Sequence, residues 1–227
     1  MNTNRPASGT RTRRLLPVVL ILVAFASGCA SDGTSPSESP PSQHSVSEPA
    51  GSTSSPITDG ATPNERFQSW LNGGARQGAY SLWSSGDLGG GPPAGATEKE
   101  RRALFEKWLA ANMDALRNAW DRNQVLRAQA DLRTAMAVAL TYRVDHSGFA
   151  GLTPSEAGAI EPALAFNVSE TVVGEVTIRI ATQGSVLLTT ESRSGQVLCM
   201  AYRNDGVSHG TKDAKTVGAC DGGGWLT

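Results

Sequence analysis

Apolar residues recur along this chain with different periods, and each period predicts a different kind of structure. Leu15 to Ala26 is a continuous apolar run broken only by Pro17. Ala30 to Thr62 has no apolar period at all, being crowded with Ser, Thr, Pro and Gly and lacking any aromatic residue. Phe67, Trp70 and Leu71, and then Ala79, Tyr80, Leu82 and Trp83, fall at helical spacing on either side of Gly73-Gly74. Phe105, Leu109, Met113, Leu116 and Trp120 repeat at helical intervals, as do Val125, Leu132, Ala135, Ala139 and Tyr142. After Ser147-Gly148 the period drops to two. Val176, Ile178 and Ile180 alternate with Glu175, Thr177 and Arg179, the pattern of a strand with one wet face.

Start and stop signals bound these elements. Thr62-Pro63-Asn64-Glu65 and Thr97-Glu98-Lys99-Glu100 read as capping boxes, in which a threonine and a glutamate satisfy otherwise orphaned amides. Pro63 is suited to a first helical position. The second box opens one long helix from Glu98 to about Val144, with Asp121 to Gln124 as a kink or phase shift between its two apolar sets. Trp108 and Trp120 are placed to pack on the preceding helical pieces. Ser84 to Gly95 is a Gly- and Pro-rich linker. Thr153-Pro154-Ser155-Glu156 caps a short helix ending near Pro162. Turns at Gln183-Gly184 and Ser194-Gly195 then separate Glu175 to Ile180, Val186 to Thr190 and Val197 to Tyr202, with Leu164 to Ser169 as a further strand candidate.

A helix followed by strands predicts an α+β fold, in which the C-terminal half of a long helix packs on an antiparallel β-meander. The expected organisation is an export signal over 1–28, Cys29 and a disordered linker over 29–62, a short helical appendage and linker over 63–96, and the α+β domain over 97–227.

The N-terminus bears on location. Arg5, Arg11, Arg13 and Arg14 precede the apolar run, which is shorter than the roughly 20 residues a membrane-spanning helix needs. The run ends in Ala26-Ser27-Gly28-Cys29, which resembles the lipobox of bacterial lipoproteins, although Ala26 stands where Leu is usual. That resemblance implies a diacylglycerol on Cys29, a mature protein beginning there, and the membrane as a partner on its extracytoplasmic side. Thr12-Arg13-Arg14-Leu15-Leu16 faintly resembles a twin-arginine signal. The Ser- and Pro-rich segment behind Cys29 suits a tether, since its composition cannot bury enough apolar surface to offset the entropy of ordering. With Cys29 given to lipid, Cys199 and Cys220 remain, and two thiols in an exported domain are expected to pair.

The formal net charge of −1 becomes −5 once the signal is removed, because four Arg leave and no acid does. That balance excludes nucleic acid as a partner, which needs basic clusters.

Asp131-Leu132-Arg133-Thr134-Ala135, Thr141-Tyr142 and Asp145-His146-Ser147-Gly148-Phe149-Ala150-Gly151 resemble the stretch in type IV pilins and pseudopilins where the long helix gives way to the globular loop. The short helix, the three-stranded meander and the late cysteine pair are similar in order to a pilin headpiece, and the resemblance covers about Glu98 to Trp225. It implies a headpiece fold closed by the Cys199–Cys220 disulfide. No Gly-Phe-Thr-Leu-x-Glu processing site and no hydrophobic N-terminal fibre helix are present; Cys29 and the tether stand in their place. What remains is a headpiece detached from the filament, with an envelope or surface protein as its expected partner.

Candidate chemistry is sparse. Gly206-Val207-Ser208-His209-Gly210 matches G-x-S-x-G, the nucleophile-elbow pattern of serine hydrolases, and makes an envelope hydrolase or esterase the alternative function. Such an elbow requires a strand, a tight turn and a helix; Thr211 to Cys220 has no helical period, and no His follows His209. Asp145-His146 fits a helix end, where a cation complements the dipole. His44, His146 and His209 are scattered, so no metal site is expected, and no cofactor is implied. Glu170, Glu175 and Glu191 read as a solvated strand face, and Asn167-Val168-Ser169 is a chance sequon. The expected function is therefore non-catalytic: a lipid-anchored interaction module of the cell envelope.

Overall fold

The structure, a computed structural model, describes residues 60–203, 206–221, 223 and 225. The segment expected as an export signal, Cys29 and nearly all of the expected linker lie outside the described residues. The described chain divides into two compact units, one formed by Gly78–Trp108 and the other by the segment up to Gln77 together with Leu109 onward.

Three threonines start helices as their spacing predicts. Helix α1, Pro63–Trp70, has the full capping box: the Glu65 carboxylate accepts from the Thr62 amide at 2.6 Å, and the Thr62 hydroxyl accepts from the Glu65 amide at 3.3 Å. A π-helical segment, Leu71–Ala75, follows, and Gly74 adopts φ +124, a left-handed value that glycine accommodates without strain. Helix α2 is Arg76–Ser85. Helix α3 is continuous over Glu98–His146, its first turn closed by the Thr97 amide donating to Glu100 at 2.8 Å. Helix α4 is Pro154–Ile160, capped by Thr153.

The interval at Asp121–Gln124 is a phase shift without a kink, and its cause is a change of packing partner. Trp120 packs against Phe67 of α1 at 5.5 Å between ring centroids and against Trp70 at 6.3 Å. From Val125 onward the buried residues of α3 face the sheet. In the other unit, Phe105 of α3 lies 5.2 Å from Tyr80 and 5.7 Å from Trp83 of α2, and it stacks on Trp108.

The fold is α+β, with a sheet of five strands in the order β1-β2-β3-β4-β5. These are β1 Phe166–Asn167, β2 Val176–Ala181, β3 Ser185–Glu191, β4 Val197–Arg203 and β5 Gly206–Gly210. The expected antiparallel meander covers β2, β3 and β4, and it is extended at both edges. The candidate strand at Leu164 to Ser169 contracts to two residues and pairs parallel to β2, so the sheet is mixed. The connection over 168–175 includes a turn in which the Glu175 amide donates to the Val172 carbonyl just before β2. Gly206–Gly210, which lies beyond the strands that the apolar pattern marks, pairs antiparallel with β4.

A second correction concerns the wet face of β2. Between Ile178 and Ile180 the register slips by one residue, a β-bulge at Arg179. Val176 and Ile178 therefore face α3, whereas Ile180 packs on the opposite side with Leu187, Cys199, Ala201, Ala214 and Cys220. Thr177, on the supposedly wet face, is 0% exposed. The sheet is covered on both faces, by α3 on one and by the C-terminal tail on the other.

Candidate functional site

The last strand and the tail form one construction. β5 lies at an edge of the sheet, with Ser208 in register with Ala201 and His209 with Met200. From Gly210 the chain crosses the face opposite α3, where Ala214 is buried, makes a 3-10 turn over Val217–Ala219 and returns to Cys220. The Cys199–Cys220 disulfide joins this return to β4, with the two Cα atoms 5.8 Å apart and both residues fully buried. Gly210 is where the tail comes back closest: a Cβ there would stand 3.1 Å from the Asp221 carbonyl oxygen and 3.3 Å from Cys199 Sγ.

Charged groups pin the tail to the sheet. Arg179, the bulge residue, donates to Asp213 Oδ1 at 3.0 Å and to the Thr171 hydroxyl at 2.7 Å. Lys215 pairs with the other oxygen of Asp213. The hydrogen bond from Lys215, with the charge of Arg179, holds the Asp213 carboxyl below its ordinary value even though burial opposes this. Lys212 bonds Asp221 at 2.8 Å and lowers that carboxyl in the same way. On the helix side, the Trp225 indole donates to the Gly210 carbonyl at 3.2 Å, lies 4.8 Å from the His209 ring and carries the Arg133 guanidinium over it at 5.1 Å.

The residues singled out by sequence fall in separate places. Gly206–Gly210 is a strand along its whole length, without the turn into a helix that an elbow needs. Successive strand residues point to opposite faces, so the Ser208 hydroxyl sits on the tail side while His209 meets Trp225 on the helix side. The two side chains are thus held apart. His146 stacks on Tyr142 at 3.9 Å, and its Nδ1 lies 3.0 Å from the Tyr142 carbonyl at the end of α3; Asp145 is exposed. Glu191 pairs with Arg66 of α1 at 3.3 Å, Glu175 accepts from Asn167, and the Glu170 carbonyl accepts from Thr177, so the three glutamates share no site. Cys29 lies outside the described residues.

An open cavity of about 460 Å³ is lined by Asp121, Arg122, Val125, Ser194 and Gln196, and one of about 360 Å³ by Leu140, Arg143, Val144 and Ser147. Neither contains Ser208 or His209. Among the described residues no group of three His, Cys, Asp or Glu side chains is placed to hold a metal, and no helix is long and apolar enough to cross a membrane. Arg133, Arg179, Asp213 and Trp225 escaped the sequence reading. A tryptophan in a Gly-rich tail and the alternation that sets Arg179 on the face of Thr177 were the only visible signals. No family model, curated protein or solved structure matches the chain.

Proposed function

We propose that this protein is a non-catalytic module of the cell envelope, held at the extracytoplasmic face of the membrane by a lipid on Cys29 and acting by contact through a pilin-like head. One observation carries the contact reading: Ser208 and His209, the nearest approach to a catalytic pair, stand on opposite faces of an edge strand whose tail is locked beside it by a disulfide. A nucleophile needs its base within hydrogen-bond reach. A strand edge and a braced surface segment suit recognition instead. The order of long helix, short helix, sheet and late disulfide supports the pilin-like reading, and the apolar run ending at Cys29 supports the anchor.

Two acyl chains bury enough methylene groups, at about 0.8 kcal/mol each, to make attachment stable where one would be marginal. Cys29→Ser in the native host should block lipid labelling and shift the protein out of the membrane fraction; unchanged membrane association would refute the anchor. The contact reading is tested separately. Ser208→Ala with His209→Ala should leave the fold intact and change no ester- or polymer-hydrolysing activity, and loss of such an activity would install a hydrolase in its place.

A further inference from the structure

The two edges of the sheet differ. β1 is two residues long, and the brevity of an edge strand limits what can pair with it. β5 has five residues, Gly-Val-Ser-His-Gly, with no proline and no charged side chain to guard it. The hydrogen bonding of the sheet fixes which backbone groups face outward. In the β3–β4 hairpin the Ser192 amide donates to the Gln196 carbonyl at 2.9 Å. Hydrogen-bonded and non-hydrogen-bonded pairs alternate along an antiparallel ladder. Thr190 with Leu198, Leu188 with Met200 and Val186 with Tyr202 are therefore bonded pairs, which leaves Cys199, Ala201 and Arg203 to bond with Gly210, Ser208 and Gly206. The N–H and C=O groups of Val207 and His209 then point off the edge, and no partner for them lies among the described residues.

We propose that this edge pairs with the same edge of a second copy, antiparallel about a two-fold axis at Ser208, so that Val207 of each copy bonds with His209 of the other. The outward groups lie one residue to either side of Ser208, and that symmetry lets two identical strands satisfy each other without a shift of register. Because β5 has no Asp, Glu, Lys or Arg and the register sets His209 opposite Val207, the pairing places no like charges opposite one another, an arrangement that would be destabilising. The Val207 side chain, 50% exposed, comes to lie beside the partner strand. A contact that uses the same patch on both copies closes at a dimer, and the short β1 edge offers no equivalent site for further growth. This inference rests on the contact reading and names its partner; it does not depend on the lipid.

Proline substitutions test it. At position 207 a proline removes an amide that faces outward, so the internal ladder is preserved; at position 208 it removes one that bonds to β4. Sedimentation equilibrium of the full chain in density-matched non-ionic detergent should show a concentration-dependent dimer. Val207→Pro should raise its dissociation constant about tenfold or more while leaving near-UV circular dichroism unchanged. Ser208→Pro should instead perturb the spectrum. A wild-type chain that stays monomeric, or a Val207→Pro chain that still dimerises with unchanged affinity, overturns the proposal. Monomeric wild type would leave the contact reading standing with a different partner, whereas a hydrolytic activity lost on Ser208→Ala would remove that reading itself.

Discussion

One sheet is covered in two different ways, and the contrast shows where this fold takes its strength and where it is adaptable. On one face, α3 lays Leu132, Ala135 and Ala139 against Val176, Ile178, Val186, Leu188 and Leu198, a packed layer of aliphatic side chains. On the other, a segment with no long helix or strand of its own covers Leu187 and Ala201 with Ala214 and Cys220, and it is held by a disulfide, by Arg179 and by lysine–aspartate pairs. Apolar burial secures the first face. Crosslinks secure the second, because a tail rich in Gly, Asp and Lys has too few apolar groups to hold itself down.

The sharpest way to break the contrast is to cut a cavity under the helix. Leu132 is 0% exposed, and Leu132→Ala should cost roughly 3 to 5 kcal/mol, transfer and cavity contributions together. Urea unfolding should show a single transition moved to lower denaturant, with both faces lost together. Removing the disulfide by Cys199→Ser with Cys220→Ser should cost about 3 kcal/mol in the chain-entropy account. Its local signature differs: hydrogen exchange should rise over residues 211–221 first, while α3 keeps its protection. Equal loss of protection in α3 would mean that the faces are not separable.

A smaller effect comes from acid, and it sets the faces against each other. The Asp213 carboxyl is depressed in the fold by Lys215 and Arg179, so its contribution is fully present above the unfolded value of about 3.9 and is lost as pH falls through the folded value. Asp131, on α3, is raised by burial against the pull of Arg127 and Arg193. Its ionised form is disfavoured in the fold, so it costs stability as pH rises through its titration and releases that cost in acid. Below about pH 4 the tail should therefore loosen before the helix face does. Asp213→Asn should remove much of that acid sensitivity, and hydrogen exchange corrected for intrinsic rates would record it.

The helix face was legible because its code is local. The starts of α1, α3 and α4 are each marked by a threonine and a glutamate three residues on, and the apolar stripe of α3 needs only the 3.6-residue period to be seen. The tail face was not legible, for two physical reasons. A bulge at Arg179 reverses the sides of Ile180 and Ala181 relative to simple alternation, which sets Ile180 with Val176 and Ile178 on one dry face. The partners of Leu187 and Ala201 lie in a segment without periodicity, brought there by tertiary contacts that no window of sequence contains. β5 was hidden for a similar reason, since two of its five residues are glycine and its strand character comes from pairing with β4. The cysteine pairing was readable from count and from the expectation of export, but not the surface it closes.

Contact through the β5 edge is the central proposal, and crosslinking in the native host tests it most directly. A photoreactive amino acid in place of Val207 should give a discrete covalent adduct on irradiation, whereas the same group in place of Val144, which is 81% exposed on α3 and outside the sheet, should give none. Adduct formation at 144 but not at 207, or at neither, would contradict the account.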